Sequence, residues 1–435
     1  MLYYSTNRKI QPVSLKEAVI GGLPADGGLY MPVELPRLPA SYFESMERLS
    51  FKEIAFDVAL AFLEEDVTSA VLSEIVNESF DFPVPLEEVE SDIFSLELYH
   101  GPTMAFKDFG ARFMSRLMSY LYRNEEKDLN VVVATSGDTG SAVAAGFHKV
   151  EGINVFVLFP KSQVSPLQQK QITTWDENIH ALEVDGSFDD CQRLSKQVLG
   201  DREFNSKFSI TSANSINIAR LIPQSFYYFF AHSRLKYSRL PLVFSVPSGN
   251  FGNLTGGLMA RACGLPVHHF IASTNINDVF KKFIESGIYN PSLSRQTISS
   301  AMDVGDPSNF VRIMDMMEGN VNKLREQIAA CSFTDEMTRK AIAEVYGKSK
   351  YIMDPHGAVA FMGARQFVQN HNEKINSVFL ETAHPSKFPE VMETIIEGYD
   401  YMPPQLKSVL NKKEEYHSVK VDPEELKTYI REINR

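Results

Sequence analysis

Phe109, Phe113, Leu117 and Leu121 recur every four residues, a spacing that places them along one face of a helix. Residues 51–76 show a similar period and predict helices. From about residue 95 the pattern changes to short apolar runs alternating with helical stretches. The runs at 131–134, 153–159, 242–246, 267–272 and 377–380 predict strands. An alanine-rich helix is expected from near Ser141, and another through Gly256 and Arg261. Strand, turn and helix in repetition predict a parallel sheet with helices on both faces, with ligands at the carboxyl ends of its strands.

The flanks read differently. Residues 1–95 mix helical patterns with turn chemistry, densest at residues 21–30, and carry no obvious reactive group. They predict an accessory domain or cap, with residues 32–39 as a linker. Residues 96–400 form the catalytic region, and residues 401–435 a tail. The tail has a charge run at 412–415, then a helix with Asp422 as N-cap, Pro423 first and Glu425 three residues past the cap. It reads as a surface appendage. There is no internal repeat and no low-complexity tract.

Composition narrows the partners. At 435 residues, 44% apolar and 23% charged, the chain has the make-up of a globular enzyme of two or three domains. A net charge of -12 argues against nucleic acid or an anionic membrane as partner. Cys191, Cys263 and Cys331 lie far apart with no CxxC pair, so neither a disulfide framework nor a metal site is expected. Residues 1–14 lack a cationic stretch followed by an apolar run, and no run is long enough to span a bilayer. The chain reads as cytoplasmic.

The candidate chemistry starts at Lys107. It follows the Gly101-Pro102 turn, opens the helix of the Phe109 stripe and lies off that stripe. Flanked by Phe106 and Phe109, its amine can be partly desolvated, which favours the neutral form that carbonyl chemistry requires. A solvated lysine in a first helical turn is the plain alternative. Thr135, Ser136, Gly137, Asp138, Thr139 and Gly140 make a strand-to-helix turn whose outward amides suit an anion, against the alternative of a merely tight turn. Asp138 would repel an anion, so it should face a cation or a donor. A second turn runs through Ser248, Gly249, Asn250, Phe251, Gly252 and Asn253. Two anion-binding turns with an activated lysine between them describe a pyridoxal phosphate enzyme.

Residues 100–110 (HGPTMAFKDFG) resemble the cofactor-lysine motif of the threonine synthase family. Four further segments resemble it too: residues 4–6 with 22–32, residues 135–142, 181–190 (ALEVDGSFDD) and 381–388 (ETAHPSKF). The resemblance covers about residues 2–405 and implies an α/β fold of type II. In such a fold two doubly wound lobes enclose pyridoxal 5'-phosphate, the smaller lobe being roughly residues 100–215 here. It implies that Lys107 is the Schiff-base lysine and proton shuttle. It further implies that Gly249, Asn250, Phe251, Gly252 and Asn253 cradle the cofactor phosphate. Thr382 would face the pyridine nitrogen, and Asp138 would lie near the phenolic oxygen. Thr135, Ser136, Gly137, Thr139 and Gly140 would hold the substrate carboxylate. The implied reaction converts O-phospho-L-homoserine and water to L-threonine and phosphate, the last step of threonine biosynthesis.

The leaving phosphate needs cations, and Lys161 and Lys387, with Arg112 behind them, are the candidates. His100, His356 and His384 read as structural histidines. The polar stretch from Asn214 to Arg220 either closes over the site or caps a helix. Competing readings are a serine or threonine dehydratase, a related binding protein without turnover, and a plain nucleotide-binding α/β protein. The sequence leaves the oligomeric state open.

Overall fold

The computed structural model describes residues 1–238 and 240–435. In chain order its strands are β1 (Leu2–Ser5), β2 (Val13–Ser14), β3 (Tyr30–Pro32), β4 (Leu86–Glu90), β5 (Ile93–Glu97), β6 (Leu129–Ala134) and β7 (Ile153–Pro160). They continue with β8 (Ile179–Val184), β9 (Ile210–Ser212), β10 (Leu242–Pro247), β11 (His269–Thr274), β12 (Ile328–Ser332), β13 (Asn376–Glu381) and β14 (His417–Val419). One small sheet has the order β2-β1-β3, and a six-stranded sheet has the order β12-β11-β10-β13-β5-β4. A five-stranded sheet runs β14-β8-β7-β6-β9 and is parallel throughout. The six-stranded sheet is parallel except for β4, which lies antiparallel on β5.

The central strands are predominantly apolar, with a few buried polar residues such as Asn130 and Ser245, because helices cover both faces. Every residue of β6, β10 and β13 is buried. The expected strands at 131–134, 153–159, 242–246 and 377–380 therefore fall on β6, β7, β10 and β13. The run at 267–272 starts early, because Val267 still belongs to a turn in which its amide donates to the Leu265 carbonyl at 2.8 Å. No expectation covered β4, β5, β8, β9 or β12. Of these, β4 is an acidic edge, β9 has three residues, and β12 is an edge strand only partly buried.

The N-terminal helices are specified locally. Ser14 and Ser50 each form a capping box with Glu17 and Glu53, opening helices Leu15–Gly21 and Phe51–Leu63. Phe51 and Phe80 then pack against Phe109 and Phe113 of helix Lys107–Tyr122, with Phe51 edge-on to Phe109 at 5.5 Å between centroids. The core behind Lys107 is thus built partly from residues before position 95.

The tail is not a surface appendage. β14 pairs in parallel with β8, matching His417, Ser418 and Val419 to Leu182, Glu183 and Val184. Leu426 and Ile430 of helix Pro423–Ile433 are buried with Cys191, Leu194 and Val198. Asp422 caps that helix as expected, accepting from the Glu424 amide at 3.0 Å. The charged run at 412–415 masks this, because it is an exposed crossing and the pairing strand beyond it has only three residues. No described helix is long and apolar enough to cross a membrane.

Candidate active site

A cavity of about 1840 Å³ opens where β6, β7, β10 and β13 end, its wall including Ala134, Pro160, Pro247 and Thr382. Lys107 reaches it from the first position of its helix. The loop before it is laced to the segment after β13: the Phe106 amide donates to the Thr382 carbonyl at 2.9 Å, and the His384 amide to the Met104 carbonyl at 3.0 Å. Asp108 is buried and accepts from the Thr103 amide at 2.9 Å and the Thr103 hydroxyl at 2.7 Å, so the turn is pinned from within the helix. The Lys107 side chain is 17% exposed, with Nζ 3.7 Å from Asp138 Oδ2. Burial holds its pKa below the ordinary lysine value against the pull of Asp138, and the charges of Lys387 and Arg220 add to the depression. Phe109 takes no part in this. Its ring lies in the core against Phe51, Phe80 and Phe82.

Asp138 faces cations, as its sequence context demanded. Its Oδ1 accepts from Lys387 Nζ at 2.7 Å and from Gln168 Nε2 at 2.9 Å. Burial alone would raise its pKa, but Lys387 and Lys107 draw it well below the usual carboxylate range. The turn carrying it is shaped from inside. The Thr135 hydroxyl accepts from the amides of Gly137 at 2.9 Å and Gly140 at 2.8 Å. Gly137 has φ 145°, and a Cβ there would sit 2.6 Å from the Gln168 carboxamide. A Cβ on Gly140 would lie 2.4 Å from Thr135 Cγ2. Gly137 and Gly140 are thus required by packing, while Thr135, Ser136, Asp138 and Thr139 reach the cavity wall.

The second turn opens helix Gly252–Ala262, and all of Gly249, Asn250, Phe251, Gly252 and Asn253 reach the cavity. Phe251 is left-handed at φ 58°, ψ 13°, an uncommon state for a bulky residue, and its ring packs 4.7 Å from that of Phe280. The side chain of Asn250 is already engaged, donating to Ser215 Oγ at 2.8 Å and accepting from the Ser308 amide at 2.5 Å. Asn253 donates to the Pro247 carbonyl at 2.8 Å. What remains for an anion are the amides of Gly252 and Asn253 in the first turn, the Leu254 amide being taken by Asn253 Oδ1 at 3.0 Å. Gly252 leaves room for one, since a Cβ there would meet nothing closer than 3.6 Å. This open glycine on a helix start, a buried lysine across the cavity and Thr382 beside it fit a phosphorylated aldehyde.

Lys161 is not brought to the site. Its side chain is 54% exposed and 3.8 Å from Asp185, one residue past the point where β7 meets the cavity. Lys387 is on the wall but is fully buried, its ammonium engaged by Asp138 and by the Thr103 carbonyl at 3.0 Å. Arg112 serves instead the end of helix Ser69–Ser79, donating to the carbonyls of Glu78 and Ser79. The histidines are structural: His100 pairs with Glu97, His356 joins Asp354 and accepts from the Ala301 amide, and His384 accepts from the Ser386 amide. Asn217 caps helix Ile218–Leu221, whereas Asn214 and Ser215 line the cavity.

Sequence reasoning missed Gln168, Arg193, Lys196, Asn309 and Arg312, and it reached Arg220 only as the end of the polar stretch from Asn214. Arg193 and Lys196 reach the wall from helix Phe188–Gly200, whose capping box at Ser187 and Asp190 gives a readable register. Arg193 pairs with Asp190 at 2.6 Å. Arg220 is buried, donates to the Ala213 carbonyl, and its Nε has no partner among the described residues. No group of three or more His, Cys, Asp or Glu side chains among the described residues could hold a metal ion.

Comparison with known proteins gives the family. Residues 81–383 match the family model described as "Pyridoxal-phosphate dependent enzyme", residues 2–80 "Threonine synthase N terminus" and residues 357–430 "Threonine synthase, C-terminal". The chain is 40% identical over 397 residues to threonine synthase of Escherichia coli, covering 91% of each chain. It superposes on the crystal structure of that species' threonine synthase with a TM-score of 0.93 at 38% identity, covering 100% of both chains. The pyridoxal-phosphate-bound threonine synthase of Brucella melitensis gives a TM-score of 0.94 at 33% identity, again over 100% of both. Matched by these family models and over its whole length by these structures, the chain belongs to the threonine synthase family of pyridoxal-phosphate-dependent enzymes.

Proposed function

We propose that this site converts O-phospho-L-homoserine and water to L-threonine and phosphate, with Lys107 carrying the cofactor and moving the protons. The observation that carries the reading is the buried Lys107 amine, 3.7 Å from Asp138 in a cavity flanked by two anion-accepting turns. The amides opening helix Gly252–Ala262 would hold the cofactor phosphate, and Thr382, on the cavity wall, would serve the ring nitrogen. When bound, the cofactor acts as an electron sink that acidifies the Cα and then the Cβ hydrogens of an attached amino acid. Lys107 Nζ, biased by burial toward the neutral amine, takes the Cα proton and returns protons as the reaction proceeds. The substrate carboxylate lies on the amides opening helix Asp138–Phe147, with Ser136 and Thr139 at the wall. Thr135, Gly137 and Gly140 shape that turn.

For the far phosphate we infer Arg193 and Lys196, with Arg220 deeper in. Among the described residues these are the wall cations left once Lys107 and Lys387 are assigned. Residues 1–95 act as an accessory unit, with Leu23, Pro24, Gly27 and Leu29 reaching the wall. The three free cysteines suit the cytoplasm. The test is turnover of O-phosphohomoserine by the purified protein and by Lys107→Ala. Phosphate released in step with threonine, and lost in the variant, is the expected result. Ketoacid as the sole product, or full activity in the variant, would overturn the reading.

A further inference from the structure

We propose that Lys387 is a positioning residue for this reaction: by pairing with Asp138 it sets the charge that the Lys107 nitrogen meets, and so the protonation state in which that nitrogen works. The inference rests on the reading of Lys107 as the cofactor-bearing residue.

The geometry is a line of three charges. Asp138 lies between two ammonium groups, 2.7 Å from Lys387 and 3.7 Å from Lys107. Its close partner is therefore Lys387. The Lys387 side chain is 0% exposed, and its ammonium is directed at Asp138 and at the Thr103 carbonyl, 3.0 Å away, so it is not presented to a substrate. Burying a lysine is costly unless it is paired, and the ion pair of Lys387 is with Asp138. Gln168 donates to the same carboxylate oxygen of Asp138 at 2.9 Å, which holds it in place without adding charge.

The charged groups facing Lys107 come from several elements: Asp138 from its own helix, Lys387 from the segment after β13, and Arg220 from helix Ile218–Leu221. On the Lys107 helix, Asp108 is turned back onto Thr103. Without Lys387, Asp138 would be the only counter-ion of Lys107 and would hold it as an ammonium that cannot accept a proton. Without Asp138, Lys107 would face two cations and lose its orientation. The pair supplies an oriented acceptor for the Lys107 nitrogen with most of its charge already balanced.

The test is a pH titration of the bound cofactor's absorbance in the holoenzyme, with its attachment at Lys107 mapped by borohydride reduction and peptide analysis. Lys387→Met should move the midpoint up, and Asp138→Asn should move it down by roughly one to three pH units, the range for an opposite charge at this distance. The double variant should fall between them. Lys387→Arg keeps the charge and should stay closest to the parent, and the pH profile of kcat should follow the same order. Midpoints unmoved in both single variants, with cofactor still on Lys107, overturn the inference and leave the functional reading standing. If Lys387→Met does not retain cofactor, the nearly isosteric Asp138→Asn decides alone, and an unmoved midpoint there overturns it. Cofactor mapped to another residue in the parent protein overturns the functional reading instead.

Discussion

Arg312 offers a severe test of how the cofactor turn is held. It is fully buried, and among the described residues its hydrogen bonds go to carbonyl oxygens and an asparagine rather than to a carboxylate. Its guanidinium donates to the Tyr30 carbonyl through Nε at 3.2 Å and Nη2 at 3.0 Å, and to the Ile216 carbonyl at 2.7 Å. It also donates to the Ser215 carbonyl at 3.2 Å and to Asn309 Oδ1 at 2.7 Å. Asn309 in turn donates to the Asn250 carbonyl at 2.9 Å, inside the phosphate-binding turn. One side chain therefore ties the N-terminal segment, the loop at 215–216 and the turn at 250 together. Burial draws its pKa down to about 9.

Removing it by Arg312→Met leaves four acceptors without their donor. At roughly 1–3 kcal/mol for each orphaned buried group, less the relief of desolvating a cation, the net loss should be about 3–5 kcal/mol. Arg312→Lys keeps the charge, but an ammonium has three donors and no planar fork, so about half that loss is expected. The assay is urea unfolding followed by far-ultraviolet circular dichroism, paired with equilibrium binding of pyridoxal phosphate. The two losses should appear together, since the turn that Asn309 holds is the one proposed to carry the cofactor phosphate. A lysine variant with the parent's unfolding midpoint and cofactor affinity would refute the account.

Two other perturbations separate packing from binding. Gly252→Ala adds a methyl that meets nothing within 3.6 Å, so the fold should keep its stability while cofactor affinity drops at least tenfold, or about 1.4 kcal/mol. Gly249→Ala places a Cβ 2.8 Å from the Ala301 carbonyl oxygen and should lower the thermal midpoint, with a loss of about 1–3 kcal/mol. The reverse pattern in cofactor titration and thermal melts would show that the phosphate lies elsewhere. At Asp108, burial pushes the carboxyl up to about 6 against its hydrogen bonds from Thr103. A raised folded pKa favours the folded state at low pH and loses that advantage as pH rises from about 4 through 6, by about 3 kcal/mol in all. Asp108→Asn should therefore gain stability relative to the parent between pH 4 and pH 8. Parallel pH–stability curves for the two proteins would contradict this.

What the sequence made legible follows the physics of each signal. Buried parallel strands such as β6 and β10 are continuous apolar runs and can be read directly. The Ser14, Ser50 and Asp422 caps are local, and so were readable in principle or in fact. β14 was not, because three residues, two of them exposed, acquire meaning only beside β8, more than two hundred positions away. Arg312 was hidden for the same reason. Its neighbours Phe310 and Ile313 are apolar and buried, and nothing near it in sequence marks the carbonyls of Tyr30 and Ile216 as its partners.

The site shows a subtler version of this limit. Motif reasoning picks out the turns around an anion and credits their outward amides, but it leaves open what the hydroxyl and amide side chains in them do. Here Thr135 is engaged by the amides of Gly137 and Gly140, and Asn250 by Ser215 and Ser308. Those side chains fix the turns, and Thr135 and Asn253 also take the Gly140 and Leu254 amides, which leaves the first two amides of each following helix, on residues that line the cavity. Lys387 fits the same logic. A lysine beside a phosphate-binding site invites a direct role, but its only described polar contacts are Asp138 and the Thr103 carbonyl. The polar residues in these motifs therefore act largely by holding backbone and charge in place, which is why substitutions that preserve polarity but alter shape or charge should be as damaging as removal.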